Sequence, residues 1–195
     1  MSTPPAEVLG HTLLRVLNTL QRLNPRQPLS YLETGCIRDR HPFGKDPVDA
    51  RSTLAVARWI RARGVLGSRG YSVDLHPPHL DCAQEVLAAE SLEDTFSFLQ
   101  GDGARVIEGL TGPFNLVLLD SDSDSRVTER EYLALQGKLQ DPGFVVIDDI
   151  GRNGVNKGAL VLAQRTKDRL PWKQIAQYVA CIPIGPQATR ALDLL

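Results

Sequence analysis

The sequence predicts an α/β protein: a doubly wound, mostly parallel seven-stranded sheet that ends in an antiparallel hairpin. Three observations carry that prediction. Short apolar runs rich in valine, leucine and aromatic residues alternate with segments whose apolar residues recur at helical spacing, the order that builds βαβ units. One run, Phe114-Asn-Leu-Val-Leu-Leu, is apolar almost without a break, as expected of a central strand covered on both faces. Acids and glycines close the strand-like runs, at the end where open α/β sheets bind ligands.

In chain order, residues 6–23 predict an amphipathic helix, with Leu9, Leu13, Val16, Leu17 and Leu20 on one face. Asn24-Pro25 and Gln27-Pro28 end it. Leu29 to Gly35, LSYLETG, is the first strand, delivering Glu33 and Gly35 to its end. Residues 36–51 hold two prolines, a glycine and mixed charges without any period, and predict a loop long enough to be functional. Ser52 suits the N-cap of a helix that buries Leu54, Val56, Ala57, Trp59 and Ile60 and stops near Gly64.

The second strand covers Tyr71 to Leu75 and carries Asp74. Pro77-Pro78 opens the next helix, and Phe96 to Leu99 forms the third strand, with Gly101-Asp-Gly103 at its end. A short helix is expected over 104–110, then the fourth strand to Asp120. Thr128 and Glu131 have capping-box spacing for a helix running to about Leu139. Asp141-Pro-Gly143 is expected to turn, Phe144 to Asp148 to form the fifth strand, and residues 157–169 a helix. Residues 172–182 and 188–195 are expected to pair as a hairpin across IPIGPQ. His76 and His79 read as surface residues beside the Pro-Pro turn.

The 195 residues suit one domain, with a helix and linker over 1–28 and a core over 29–195. A net charge of −1 gives no bulk attraction to nucleic acid or an anionic membrane. No apolar run is long enough to span a bilayer, and the first residues lack a signal peptide's basic and apolar regions. Cys36, Cys82 and Cys181 are scattered and odd in number, which argues against a disulfide framework and fits a cytoplasmic protein.

The strand ends carry the chemistry. A dinucleotide enzyme would show G-x-G-x-x-G after the first strand, so that backbone amides cradle a pyrophosphate. Here only Gly35 follows, with an acid two residues before it. That acid repels phosphate and suits a ligand with an ammonium or hydroxyls. Asp74 is placed to bind both hydroxyls of a ribose. A nucleoside without phosphates but with a cationic tail describes S-adenosylmethionine.

Six segments in order, LETG, STLA, VDL, GDGA, LLDSD and VVIDDI, resemble the class I S-adenosylmethionine-dependent methyltransferases. The likeness is nearest the catechol- and caffeoyl-CoA-type O-methyltransferases and their small bacterial relatives, and it covers roughly residues 29–182. The resemblance implies a Rossmann-like methyltransferase fold and methylation of an oxygen on a small hydroxylated molecule. It implies that Glu33, Gly35 and Ser52 serve the methionine part of the cofactor. Asp74 would bind the ribose and Leu75 the adenine face, with Asp102, Gly103 and Ala104 at the adenine edge. Asp120 would lie below the transferred methyl.

In the metal-assisted branch, the positions matching Asp120, Asp148 and Asp149 hold Mg²⁺ or Ca²⁺, with Asp149 standing where relatives have asparagine. A hard cation on oxygen ligands would chelate a diol and lower a hydroxyl pKa. The family's catalytic lysine falls at about Ser123, where this chain has none, so Asp122, Asp124 and His41 are the candidate bases. A small-molecule substrate is the expected partner, with a homodimer as the expected assembly if one forms. Two other readings stay open: an NAD-type oxidoreductase, and a non-catalytic protein that binds the cofactor.

Overall fold

The computed structural model describes residues 7–36, 52–152 and 154–195. Helix α1 spans Glu7–Leu23 and leads into strand β1, Ser30–Thr34. Helix α2 (Ser52–Arg63), β2 (Arg69–Asp74), α3 (Pro77–Ala88) and β3 (Phe96–Gln100) follow. Then come α4 (Gly103–Gly109), β4 (Phe114–Leu119), α5 (Ser125–Ala134) and β5 (Leu139–Ile147). A small ribbon of β6 (Ile150–Arg152) and β7 (Val155–Asn156) precedes α6 (Ala159–Lys167). Strands β8 (Lys173–Ala176) and β9 (Val179–Ile184) and helix α7 (Gly185–Ala191) complete the chain.

Seven strands form one sheet in the order β3-β2-β1-β4-β5-β9-β8. The first five run parallel, while β9 is antiparallel to both β5 and β8. Because strand side chains alternate faces, each central strand feeds two cores. Leu116, Leu118, Phe144 and Val146 pack with α1, α2 and α7. Val117, Leu119, Val145 and Ile147 pack with α4 and α6. Both faces are apolar, so the sequence of β4 shows no alternation. Among the described residues, no helix is long and apolar enough to cross a membrane.

Five local expectations are corrected. Asp141-Pro142-Gly143 lies inside β5 as an irregularity in its pairing with β4, which shifts register between Phe114 and Leu116. Proline lacks the ladder's N–H, so an interruption within the strand meets its needs as well as a turn does. The capping box is absent: Asp124 caps α5 through the Arg126 N–H, and Thr128 and Glu131 are buried. The helix ends at Ala134, short of Leu139.

The hairpin exists but turns at Gln177-Tyr178. Residues 188–195 are not a strand. Gly185-Pro186 opens α7, and Ala188, Ala191, Leu192 and Leu195 bury a helical face. Finally, Lys157 does not begin a helix. It follows the β6–β7 ribbon, which the sequence reading missed.

Candidate active site

Parallel strands end in one row, and main-chain hydrogen bonds stitch that row together. The Gly101 N–H donates to Asp74 O at 3.0 Å and the Gly35 N–H to Val73 O at 2.8 Å. The Asp120 N–H donates to Thr34 O at 3.0 Å. The chain order of the strands reverses between β1 and β4, so their ends diverge into a crevice, the place where open α/β sheets bind ligands. A cleft of about 580 Å³ opens there. Of the residues expected to hold the cofactor, Gly35, Asp74, Leu75, Asp102 and Gly103 line it.

Glu33 and Ser52 lie behind that lining. Glu33 is fully buried and accepts hydrogen bonds from Tyr31 Oη and Ser72 Oγ, both at 2.8 Å, and from the Thr53 hydroxyl. The Ser52 hydroxyl also turns to Glu33. Burial raises this carboxyl to about 7, against the pull of its hydroxyl donors. Tyr31 and Glu33 share a strand face, so the network ties β1 to β2 and to the first turn of α2. Ala104 is buried in the first turn of α4, outside the cleft lining.

Asp74 is held rigidly. Its Oδ1 accepts the His76 N–H at 2.8 Å and meets His79 Nδ1 at 3.1 Å, and its Oδ2 accepts the Cys36 N–H at 3.3 Å. His76 and His79, expected on the surface, line the cleft beside it. Glu131 lines the cleft as well. It accepts from Thr34 Oγ1 at 3.0 Å and Ser121 Oγ at 2.7 Å, and burial raises it to about 7. A side chain on Gly103 would come within 2.1 Å of Glu131 Oε1, so that glycine lets α4 start against the acid.

At the other end of the cleft stand Ser121, Asp122, Ser123, Asp149, Val155 and Lys157. Carboxylate oxygens of Asp120, Asp148 and Asp149 all lie within 4.8 Å of one another. Lys157 Nζ hydrogen-bonds Asp120 Oδ1 and pairs with Asp149 Oδ2 at 3.2 Å. Burial works against the ammonium, but Asp120 and Asp149 outweigh it and raise the lysine's pKa. Asp148 is raised to about 7, first by burial and then by the Asp120 charge.

By donor type the three acids suit a hard cation. Two of them already share an ammonium, and an ion held by all three would sit against that positive charge. The residues present therefore do not fit Mg²⁺ or Ca²⁺ while Lys157 stays in place.

Among the candidate bases, Asp122 lines the cleft and accepts the Asp124 N–H at 2.9 Å. Asp124 is taken up as the cap of α5 and by Arg126. His41, with residues 37–51 of the expected 36–51 loop, lies outside the described residues.

A family model described as a methyltransferase domain matches residues 51–150. The chain belongs to this family. The match covers half of the chain, from the start of α2 through the acids after β5. The methyltransferase matches no curated protein sequence.

Among solved structures, it resembles the O-methyltransferase TomG from Streptomyces achromogenes, in complex with S-adenosylmethionine. They share 17% identity over 95% of this chain and 82% of the other, with a TM-score of 0.59. A Bacillus cereus O-methyltransferase in complex with S-adenosylhomocysteine aligns at 16% identity over 94% of this chain and 83% of the other, with a TM-score of 0.61. MycE, from the mycinamycin biosynthetic pathway, in complex with Mg, S-adenosylhomocysteine and mycinamycin VI, aligns at 18% identity over 87% of this chain and 48% of its own, with a TM-score of 0.56. These likenesses establish the fold, the class I S-adenosylmethionine-dependent methyltransferase sheet.

Sequence reasoning missed Lys157, Glu131 and His79 in the methyltransferase cleft. Nothing local marks the first two. Lys157 reaches the acids only because β6 and β7 turn back, and Glu131 is three-dimensionally adjacent to Thr34 across 97 positions of chain. His79 had a usable signal. It stands five residues after Asp74 on the first turn of α3, within reach of any acid at the strand end.

Proposed function

We propose that this methyltransferase moves the methyl group of S-adenosylmethionine to an oxygen of a small hydroxylated molecule. The observation that carries the reading is the charge layout of the cleft. It has acids at both ends, Asp74 and Asp102 at one and Asp122 and Asp149 at the other, and among the described residues no glycine-rich phosphate cradle. Such walls favour a nucleoside with a cationic tail over a dinucleotide.

The bound cofactor supplies a methyl group on a sulfonium. Asp74, fixed by His76, His79 and Cys36, offers its carboxylate to the ribose hydroxyls. Leu75, 60% exposed in the cleft, gives an apolar face for the adenine, with Asp102 and Gly103 at its edge. Gly35 brings β1 close to the methionine part, while Glu33 and Ser52 support that wall from behind, and Ala104 supports the adenine side. Asp122 takes the proton from the acceptor hydroxyl, whose oxygen forms the new bond to carbon as the carbon–sulfur bond breaks. Asp120 and Asp149 hold Lys157 at the acceptor end. In a metal-assisted variant, Asp120, Asp148 and Asp149 would hold Mg²⁺ or Ca²⁺, as the Mg in the MycE complex invites, but Lys157 would have to move aside.

The reading takes residues 1–195 as one domain and the partner as a small molecule, without nucleic acid or membrane, in the cytoplasm. Calorimetry with S-adenosylhomocysteine and with NAD tests it. Binding of the first and not the second is expected, followed by methyl transfer to a member of a hydroxylated panel. Asp74→Ala should weaken cofactor binding at least about tenfold, since a buried charge-assisted hydrogen-bond acceptor is lost. Unchanged affinity would remove Asp74 from the ribose site.

A further inference from the structure

Lys157 sits where a methyltransferase that used a divalent ion would need empty space. It arrives there by a dedicated piece of backbone. After Asp149, which adopts φ +53°, β6 and β7 fold back antiparallel, Ile150 opposite Asn156 and Arg152 opposite Val155. The Ile150 N–H is anchored to Tyr178 O of the β8–β9 hairpin at 2.9 Å. The Lys157 N–H then returns to Asp149 O at 3.4 Å. Its side chain is almost wholly buried, its Nζ bonds Asp120 Oδ1, lies 3.5 Å from Asp120 O and 3.2 Å from Asp149 Oδ2, and the residue still lines the cleft. Arg130, the other described lysine or arginine in the lining, is engaged at the opposite end by Asp102 at 3.4 Å.

We infer that Lys157 is the resident cation of the Asp120, Asp148 and Asp149 cluster and stands in the place of a divalent metal, so that this chain binds neither Mg²⁺ nor Ca²⁺ there. The chemistry follows from charge. Close carboxylates need a positive partner, and the ammonium gives two of them one. A dication brought to the same oxygens would meet that ammonium at contact distance and be repelled. The consequence for substrate is specific. An ammonium is a point charge that orients a single oxygen by hydrogen bonding, whereas a metal ion chelates two. Without a chelating ion, a vicinal diol is not required of the acceptor.

This deepens the methyl-transfer reading, and its test is a binding measurement that does not need turnover. The 195-residue chain, dialysed against EDTA, is titrated calorimetrically with CaCl₂ and with MgCl₂, beside Lys157→Met, which keeps much of the side chain's length and removes its charge. The wild type should give no binding heat, and folded Lys157→Met should bind Ca²⁺ with a Kd of about 1 mM or tighter, the range of modest oxygen-ligand sites. Asp149→Ala added to that variant, which removes the side-chain oxygens, should abolish the gain. Wild-type binding as tight as the variant's would overturn the inference, and so would a folded Lys157→Met that binds neither ion. If circular dichroism shows that Lys157→Met does not fold, the wild-type titration decides alone: binding at about 1 mM or tighter overturns the inference, and silence supports it. S-adenosylhomocysteine is titrated into the same wild-type sample. Its failure to bind would remove the methyl-transfer reading and leave the metal result standing.

Discussion

Gly35 adopts φ +83°, and a Cβ there would lie 2.5 Å from Asp120 O, against main chain that cannot swing away. Gly35→Ala meets both a left-handed backbone and a clash. We expect it to lose at least about 2 kcal/mol in urea unfolding. An unchanged midpoint would show that the ends of β1 and β4 are not locked together. Glu33 sets a pH dependence. Its folded carboxyl stands at about 7 against an ordinary 4.5, so between those values the folded state keeps a proton that the unfolded chain has lost. Its stabilising contribution is therefore full below about pH 4.5 and is lost as pH rises through about 7, by about 3 kcal/mol in all. Glu33→Gln, which cannot ionise, should gain on the wild type in thermal melts between pH 5 and pH 8. Parallel pH profiles would refute the assignment. The acid itself was legible from its place in LETG, but its direction was not. Tyr31, Ser52, Thr53 and Ser72 hold it behind the wall, and three of those four come from other elements.

Helices α1 and α2 and strands β1 to β4 fall within a residue or two of where periodicity puts them. Each has an unambiguous pattern and a clear start or stop signal. After β4 the local signals mislead because they have two uses. Gly-Pro marks turns, yet at 185–186 it opens α7. The spacing from Thr128 to Glu131 fits a capping box, yet both residues face inward and Asp124 is the cap. A substitution separates the two readings of the C-terminal segment. Leu192 is buried against the core that α1 and α2 share, so Leu192→Ala should cost about 2–3 kcal/mol in chemical denaturation. A solvent-facing residue of a terminal hairpin would cost under about 0.5 kcal/mol. Arg15, which donates to Leu195 O at 3.0 Å and Ile175 O at 2.7 Å, joins α1 to both ends of that segment.

For the whole molecule, ligand binding and stability are linked. S-adenosylhomocysteine at about a hundred times its Kd should add about 2.7 kcal/mol to folding stability. In a chain of this size that is about 5–10 °C in Tm, and NAD at the same concentration should leave Tm unchanged. A rise with NAD and none with the nucleoside would reverse the cofactor assignment. The sequence by itself determined the sheet class, the doubly covered β4, and the row of acids at the strand ends. Those features rest on local periodicity and on chain direction, since parallel strands joined by helices must all end on one side. Only the tertiary structure decided which acids face the cleft and which lie behind it, because that depends on side chains brought together across tens of residues. It also decided what balances Asp120, Asp148 and Asp149. The family resemblance pointed to a metal, and the backbone of β6 and β7 delivers the ammonium of Lys157, a charge whose position no local pattern encodes.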